Sequence, residues 1–352
     1  MNDSRDRFGR WIDCLLDPSR SPGDQRQAAQ EWCEWGLDLL GVDENELATR
    51  PDAFSADCRL PIGKAISPLG AARCVREYRR TAVFLQAMDA ALRCARKRFP
   101  GERIHVLEAG CGPLAPLALP FALRYPPDEV IFSLLDLHPI AIEGTRRMAR
   151  ELGVRESVRG YLAADATTIQ FSEPDRPHVI ACEVLLRALK SEPQVAATRN
   201  LAPQLRRGGI FLPERIDVDA GLFDQAKWTR ALTSPMKEGE EGLSPIQELG
   251  RVFGLDASAV NELQPRGAGR FAATAVNVPP HDPERTPLHL FTRIRVFGDH
   301  RLGDFDSSLN LPERVKYPAA LAVKGGLVEF YYEVSADPGL RLVGLTASGS
   351  NR

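Results

Sequence analysis

The chain has 352 residues, 43% of them hydrophobic, with 45 basic and 47 acidic side chains and a formal charge of −2. That apolar content excludes a disordered chain, and the balanced charge gives no basic surface of the kind nucleic acid requires. The length admits two or three units of ordinary domain size.

The seven cysteines are scattered with no CxxC, and the six histidines form no HExxH, so no metal site is expected. The first residues are polar and no apolar run of about 20 residues occurs, so neither a secretory signal nor a transmembrane helix is expected. A reduced, cytoplasmic protein is the expectation.

Residues 1–67 read as a helical N-terminal unit. Trp11, Ile12, Leu15 and Leu16 form one apolar face, and Trp32, Trp35, Leu39 and Leu40 form another at helical spacing. Pro18, Pro22, Pro51 and Pro61 break the segments. The tryptophan stripe reads as a packing face. A long helix or helix pair follows over 68–99, with Leu85, Met88, Leu92 and Ala95 on its buried side.

Residues 68–213 then alternate strands and helices. Strands are predicted at 104–107, 130–135, 158–164, 179–182 and 210–212, and helices at 114–123, on the face of Ala141, Thr145, Met148 and Leu152, and at 193–205. This pattern predicts a doubly wound α/β, Rossmann-like sheet, whose ligands sit at the carboxyl ends of the strands. Beyond Pro213, residues 214–352 read as a β-rich, barrel-like domain. A helical insertion is predicted over 222–263, and strands over 271–278, 288–296, 321–334 and 340–345.

The chemistry gathers at the strand ends. After the first strand come Glu108, Ala109, Gly110, Cys111 and Gly112. Glycines there let a backbone approach a ligand closely, and a helix starting behind the turn would offer free N–H groups to an anion. The third glycine of GxGxxG is missing, and Pro113 and Leu114 follow instead. Asp136 ends the second strand, where an acid accepts from two ribose hydroxyls. Asp165 ends the third, where it could accept from an adenine amino group. With Leu137 and Ala166 beside them, these residues outline an S-adenosylmethionine (SAM) pocket, from which S-adenosylhomocysteine would leave as product.

Val106 to Gly112 resembles motif I of class I SAM-dependent methyltransferases. Within that superfamily, the segment after the fourth strand is similar to the double-glutamate loop of protein arginine methyltransferases: Glu183 and Glu192 lie nine positions apart, as in that family. The resemblance covers about residues 75–225. It implies that both glutamates grip a guanidinium, the planar, always-charged group that carboxylates match bidentately. Glu183 would also border the cofactor. Glu192 alone could equally be a helix N-terminal charge before Pro193. The resemblance assigns an arginine before motif I to the SAM carboxylate, with Arg80 as the better match and Arg76 as its competitor.

The family's late Thr-His-Trp loop is absent, since no tryptophan follows Trp228. That loop helps to build the peptide-arginine site, so its absence favours a small guanidino substrate. In kind, the chain resembles bacterial enzymes that N-methylate free arginine for natural-product biosynthesis. Methyl transfer to protein arginine or to an amine, hydroxyl or carboxyl group remains an alternative, as does a non-catalytic SAM-binding protein. The insertion at 222–263 falls where the family carries its dimerisation arm, which implies a homodimer. No nucleic acid or membrane partner is expected.

Overall fold

The computed structural model describes residues 2–233, 244–263, 265 and 269–346. Helices α1 (Asn2–Leu16) and α2 (Pro22–Leu40) open the chain. Ser21 caps α2 through the Asp24 N–H, proline occupies its first turn, and Gly41 ends it at φ +73°. Phe8 meets Trp32 edge-on at 5.3 Å, and Trp11 and Trp35 pack beside them. The tryptophan stripe is therefore core. Helix α3 (Glu44–Thr49) and a short antiparallel hairpin, β1 (Cys58–Arg59) with β2 (Lys64–Ala65), lead to a helix pair. These helices are α4 (Pro68–Cys74) and α5 (Tyr78–Arg98), and the predicted α5 stripe of Leu85, Met88, Leu92 and Ala95 is fully buried.

The central sheet contains β3 (Ile104–Ala109), β4 (Val130–Asp136), β5 (Val158–Ala163), β6 (Val179–Cys182) and β7 (Ile210–Leu212). All pairs are parallel and the order is β5-β4-β3-β6-β7. Every residue of β3, β4 and β6 is buried, as expected of a sheet covered on both faces. Strand order reverses between β3 and β6, which opens a crevice above their carboxyl ends. Helices α6 (Leu119–Ala122), α7 (Pro139–Glu151) and α8 (Gln194–Leu201) complete the layers.

The helix predicted over 114–123 is confined to α6. Ala115 has φ +40° and precedes Pro116, a position where helical backbone is disfavoured. No helix N-terminus therefore stands directly behind the glycine turn. The helix predicted over 193–205 is α8 followed by a 3-10 turn at Ala202–Gln204.

The C-terminal part forms two antiparallel sheets. The first joins β8 (Arg215–Phe223), β9 (Ile246–Asp256), β12 (Leu288–Phe297), β13 (His300–Leu302) and β14 (Glu313–Arg314). The second joins β10 (Arg270–Ala272), β11 (Val276–Val278), β15 (Gly326–Glu333) and β16 (Gly339–Thr346). Phe253 of β9 stacks on Tyr332 of β15 at 5.0 Å and ties the sheets together.

The predicted helical insertion at 222–263 needs correction. Only α9 (Gln225–Thr233) is an α-helix among its described residues, and β9 runs antiparallel to β8 from Ile246 to Asp256. Val252, Phe253 and Leu255 fit a short apolar stretch of either periodicity, and pairing with β8 decides for strand. The polar break predicted at 237–242 lies outside the described residues. The predicted strand at 321–334 begins instead as helix α10 (Ala319–Lys324), stopped by Gly325 at φ +65°.

Candidate active site

A cleft with about 1300 Å³ of space, part of it open to solvent, lies over the crevice between β3 and β6. Its floor includes Gly110 and Cys111 after β3, and Asp136 and Leu137 at the end of β4. Asp165 and Ala166, past β5, form one side. Arg80, Glu183 and Glu192 close the other. Nine of the residues expected at the site therefore line one cleft. Glu108 and Gly112 stand behind that lining.

The floor is shaped by close backbone approach. Gly110 has φ +78°, and a Cβ there would sit 2.6 Å from Val184 Cγ1 and 2.7 Å from the Glu183 carbonyl oxygen. Only glycine fits. Asp136 accepts the Gly112 N–H at 2.9 Å and the His138 N–H at 2.8 Å, which fixes its carboxylate across the turn. Burial pushes its pKa up against these two bonds. A carboxylate has about four acceptor positions, so Asp136 retains capacity for ligand hydroxyls. Asp165 accepts the Thr167 N–H at 2.8 Å. The Cys111 thiol is buried, which holds its pKa well above the ordinary value, so it is an unreactive floor residue.

Glu108 supports this floor from below. One carboxyl oxygen accepts the Leu117 N–H at 3.0 Å, and the other is buried without a hydrogen-bond partner among the described residues. Burial pushes its pKa up to about 8.

Pro113 and Leu114, which stand where the motif departs from pattern, are packing residues. Pro113 lies against Gly144 of α7, where a Cβ would come within 2.8 Å of its ring. Leu114 fills the space beside Gly36 of α2, where a Cβ would meet it at 2.6 Å.

The two candidate arginines separate. Arg76 is held by Glu44 at 2.5 and 3.1 Å. Arg80 is buried in the cleft and donates to Glu183 at 2.5 Å and to Glu77 at 3.3 Å. Burial alone would lower the Arg80 pKa, but the carboxylates of Glu183 and Glu77 hold it above the usual guanidinium range. Arg80 is the only lysine or arginine among the described residues that line the cleft.

The second carboxyl oxygen of Glu183 is buried without a hydrogen-bond partner among the described residues. Glu192 is 6% exposed, and burial together with the neighbouring Glu183 charge pushes its pKa up to about 8. The segment between them is strained. Ala188, Leu189 and Ser191 have φ +56°, +55° and +62°, a conformation costly for residues with a Cβ.

The β-rich part holds this loop in shape. Thr292 Oγ1 accepts the Ala188 N–H at 2.7 Å, and the buried Tyr332 hydroxyl donates to the Leu189 carbonyl at 2.8 Å. Glu313 pairs with both Arg187 and Lys190. These partners, together with Ser308, whose N–H and hydroxyl both bond Glu77, were not found in the sequence. They lie far along the chain and carry no local motif.

The fold is a Rossmann-like parallel sheet followed by an antiparallel β-rich domain. The crystal structure of PRMT6 matches it with TM-score 0.53 at 11% identity, over 79% of this chain and 99% of that chain. The Trypanosoma brucei PRMT1 enzyme–prozyme heterotetrameric complex with AdoHcy aligns with TM-score 0.49 at 13% identity, over 78% of this chain and 93% of that one. No protein-family model and no curated protein matches the chain. Among the described residues, no group of three or more metal-binding side chains occurs, and no helix is long and apolar enough to cross a membrane.

Proposed function

We propose that this protein is a SAM-dependent N-methyltransferase acting on a guanidino group, with free L-arginine as acceptor. One observation carries the reading: Glu183 and Glu192, from a strand end and a strained loop, border the same cleft as the glycine floor and Arg80. The cofactor fits what is present. Gly110 leaves the floor bare, Asp136 keeps acceptor capacity for a ribose, and Arg80 supplies a cation for a carboxylate. SAM bound there supplies an electrophilic methyl group.

The protein's own residues do the rest. Glu183 and Glu192 hold the acceptor's plane and concentrate its positive charge away from the attacking nitrogen. Positioning supplies much of the acceleration in such a displacement. The guanidinium arrives charged, since its pKa lies above about 12. Alkylation leaves one proton too many on the attacking nitrogen, and the Glu192 carboxylate, with its raised pKa, takes it.

The resemblance to bacterial enzymes of natural-product biosynthesis supports the same acceptor. All seven cysteines are free, which supports a reducing, cytoplasmic location. The homodimer of this reading attaches to α9, whose Leu232 is 67% exposed. Radiolabelled methyl transfer with arginine, agmatine and an arginine-rich peptide offered in parallel tests the reading. Label entering arginine, with most turnover lost in Glu192→Gln, supports it. Binding of SAM with no transfer to any guanidino compound overturns it.

A further inference from the structure

The β1–β2 hairpin forms part of the acceptor side of the cleft. Leu60, Ala65 and Ile66 line it together with Glu192. The hairpin is fixed to the glutamate loop and to the β15–β16 turn. Lys64 donates its N–H to the Ser191 carbonyl at 2.9 Å, and Gly63 donates to the Ser335 carbonyl at 2.9 Å. Ser191 in turn donates to the Pro338 carbonyl at 2.8 Å. Gly63, at φ +85°, is so close to the loop that a Cβ would lie 2.8 Å from the Ser191 oxygen. Three distant segments therefore meet at one rim.

Several charged side chains stand around this rim, among them Asp57, Arg59 and Lys64. Lys64 Nζ and Asp57 Oδ2 pair at 2.7 Å, with side chains 36% and 43% exposed. Both charges reach Glu192: Lys64 acts to lower its pKa and Asp57 to raise it. A pair this exposed contributes little to stability and can exchange partners with a ligand. Asp57 also accepts the Ser67 N–H at 2.9 Å, which anchors its carboxylate while leaving the lysine end free to move.

A free amino acid with a guanidino side chain brings its own carboxylate and ammonium. An arginine inside a polypeptide brings neither. Resting on the guanidino-methyltransferase reading, we infer that Lys64 and Asp57 form a head-group subsite that receives the α-carboxylate and α-ammonium of a free, zwitterionic guanidino amino acid. The segment that follows Asp57 and carries Lys64 lines the cleft through Leu60, Ala65 and Ile66.

The test uses the full chain with SAM and four acceptors: L-arginine, agmatine, which lacks the carboxylate, 4-guanidinobutyrate, which lacks the ammonium, and a peptide with one internal arginine. The wild type is expected to prefer L-arginine at least tenfold in kcat/KM over each of the others. Lys64→Met is expected to cut the arginine-to-agmatine ratio at least tenfold, with Lys64→Arg restoring most of it. Asp57→Asn, which keeps an oxygen for Ser67, is expected to cut the arginine-to-4-guanidinobutyrate ratio similarly. Unchanged ratios in both variants overturn the inference. So does a wild type that methylates the peptide or agmatine as well as arginine, and in that case guanidino methylation itself still stands. A wild type that methylates none of the four overturns both.

Discussion

Arg80 and Glu183 lie 103 positions apart in the chain and meet at 2.5 Å inside the cleft. One is the cation that the proposed function assigns to the cofactor carboxylate, and the other is a carboxylate it assigns to the acceptor. Each holds the other in the cleft. Arg80→Met leaves Glu183 facing a buried site uncompensated. Breaking a buried pair from one side costs on the order of 3–5 kcal/mol. A clear fall in thermal midpoint is expected, with SAM affinity down at least tenfold by calorimetry. Arg80→Lys should recover stability better than affinity, because an ammonium lacks the guanidinium fork. Unaltered SAM affinity in both variants would remove Arg80 from the cofactor site.

Glu192 must be ionised to hold a cation, yet burial and Glu183 push its pKa up to about 8. The pH profile of kcat/KM reports the free enzyme, so it should rise through about pH 8. Glu192→Gln should abolish that rise and lower kcat/KM about a hundredfold or more, while leaving SAM binding within a few fold. A profile of the same shape in the variant would assign the rise to another group.

Glu108 offers a stability measurement separate from activity. Its folded pKa, pushed up to about 8 by burial, exceeds the ordinary 4.5 of the unfolded chain. The folded state therefore holds a proton that the unfolded state releases. This contribution is complete below about pH 4.5 and is lost progressively as pH rises through about 8. Denaturant titrations of Glu108→Gln should show a flatter loss of stability between pH 5 and 8 than the wild type. Parallel curves would contradict the assignment.

Tyr332→Phe removes only the hydroxyl that holds the Leu189 carbonyl. The cost in global stability is expected to be about 1 kcal/mol. Because Leu189 sits in the strained loop before Glu192, kcat should fall several fold with SAM affinity unchanged. Equal losses in both would mean that the tyrosine supports the whole fold and not the loop.

Gly110→Ala places a methyl 2.7 Å from the Glu183 carbonyl in a left-handed conformation. Backbone atoms cannot yield as a flexible side-chain tip can. SAM binding is expected to be lost, with a destabilisation of about 1–3 kcal/mol.

The sheet was legible because its strands are short apolar runs ending in chemistry-bearing residues, from Glu108 to Glu183. Periodicity likewise exposed the buried stripe of α5. The failures share a cause. Val252 to Leu255 and the Ala319–Lys324 segment are short apolar runs whose form depends on what lies beside them. Pairing with β8 makes one a strand, and Gly325 ends the other as a helix. At the site, the glutamates were visible through the resemblance of their segment to a double-glutamate loop. Their supports, Thr292, Glu313 and Tyr332, are ordinary strand residues whose role exists only once the sheets close around residues 187–191. Glu108, expected at the cofactor site, is buried and accepts the Leu117 N–H, a contact with no signal in the sequence.

Leu114 against Gly36 has a consequence for how the glycine turn is held in place. The large side chain stands in the turn, and the small residue that makes room for it stands on α2, early in the chain. The fit is divided between two distant places, so no contiguous string of letters contains it. Exchanging the two sizes together, with glycine at 114 and leucine at 36, is the compensated change that this packing permits in principle, whereas enlarging Gly36 alone would lever the N-terminal helices off the floor they cover.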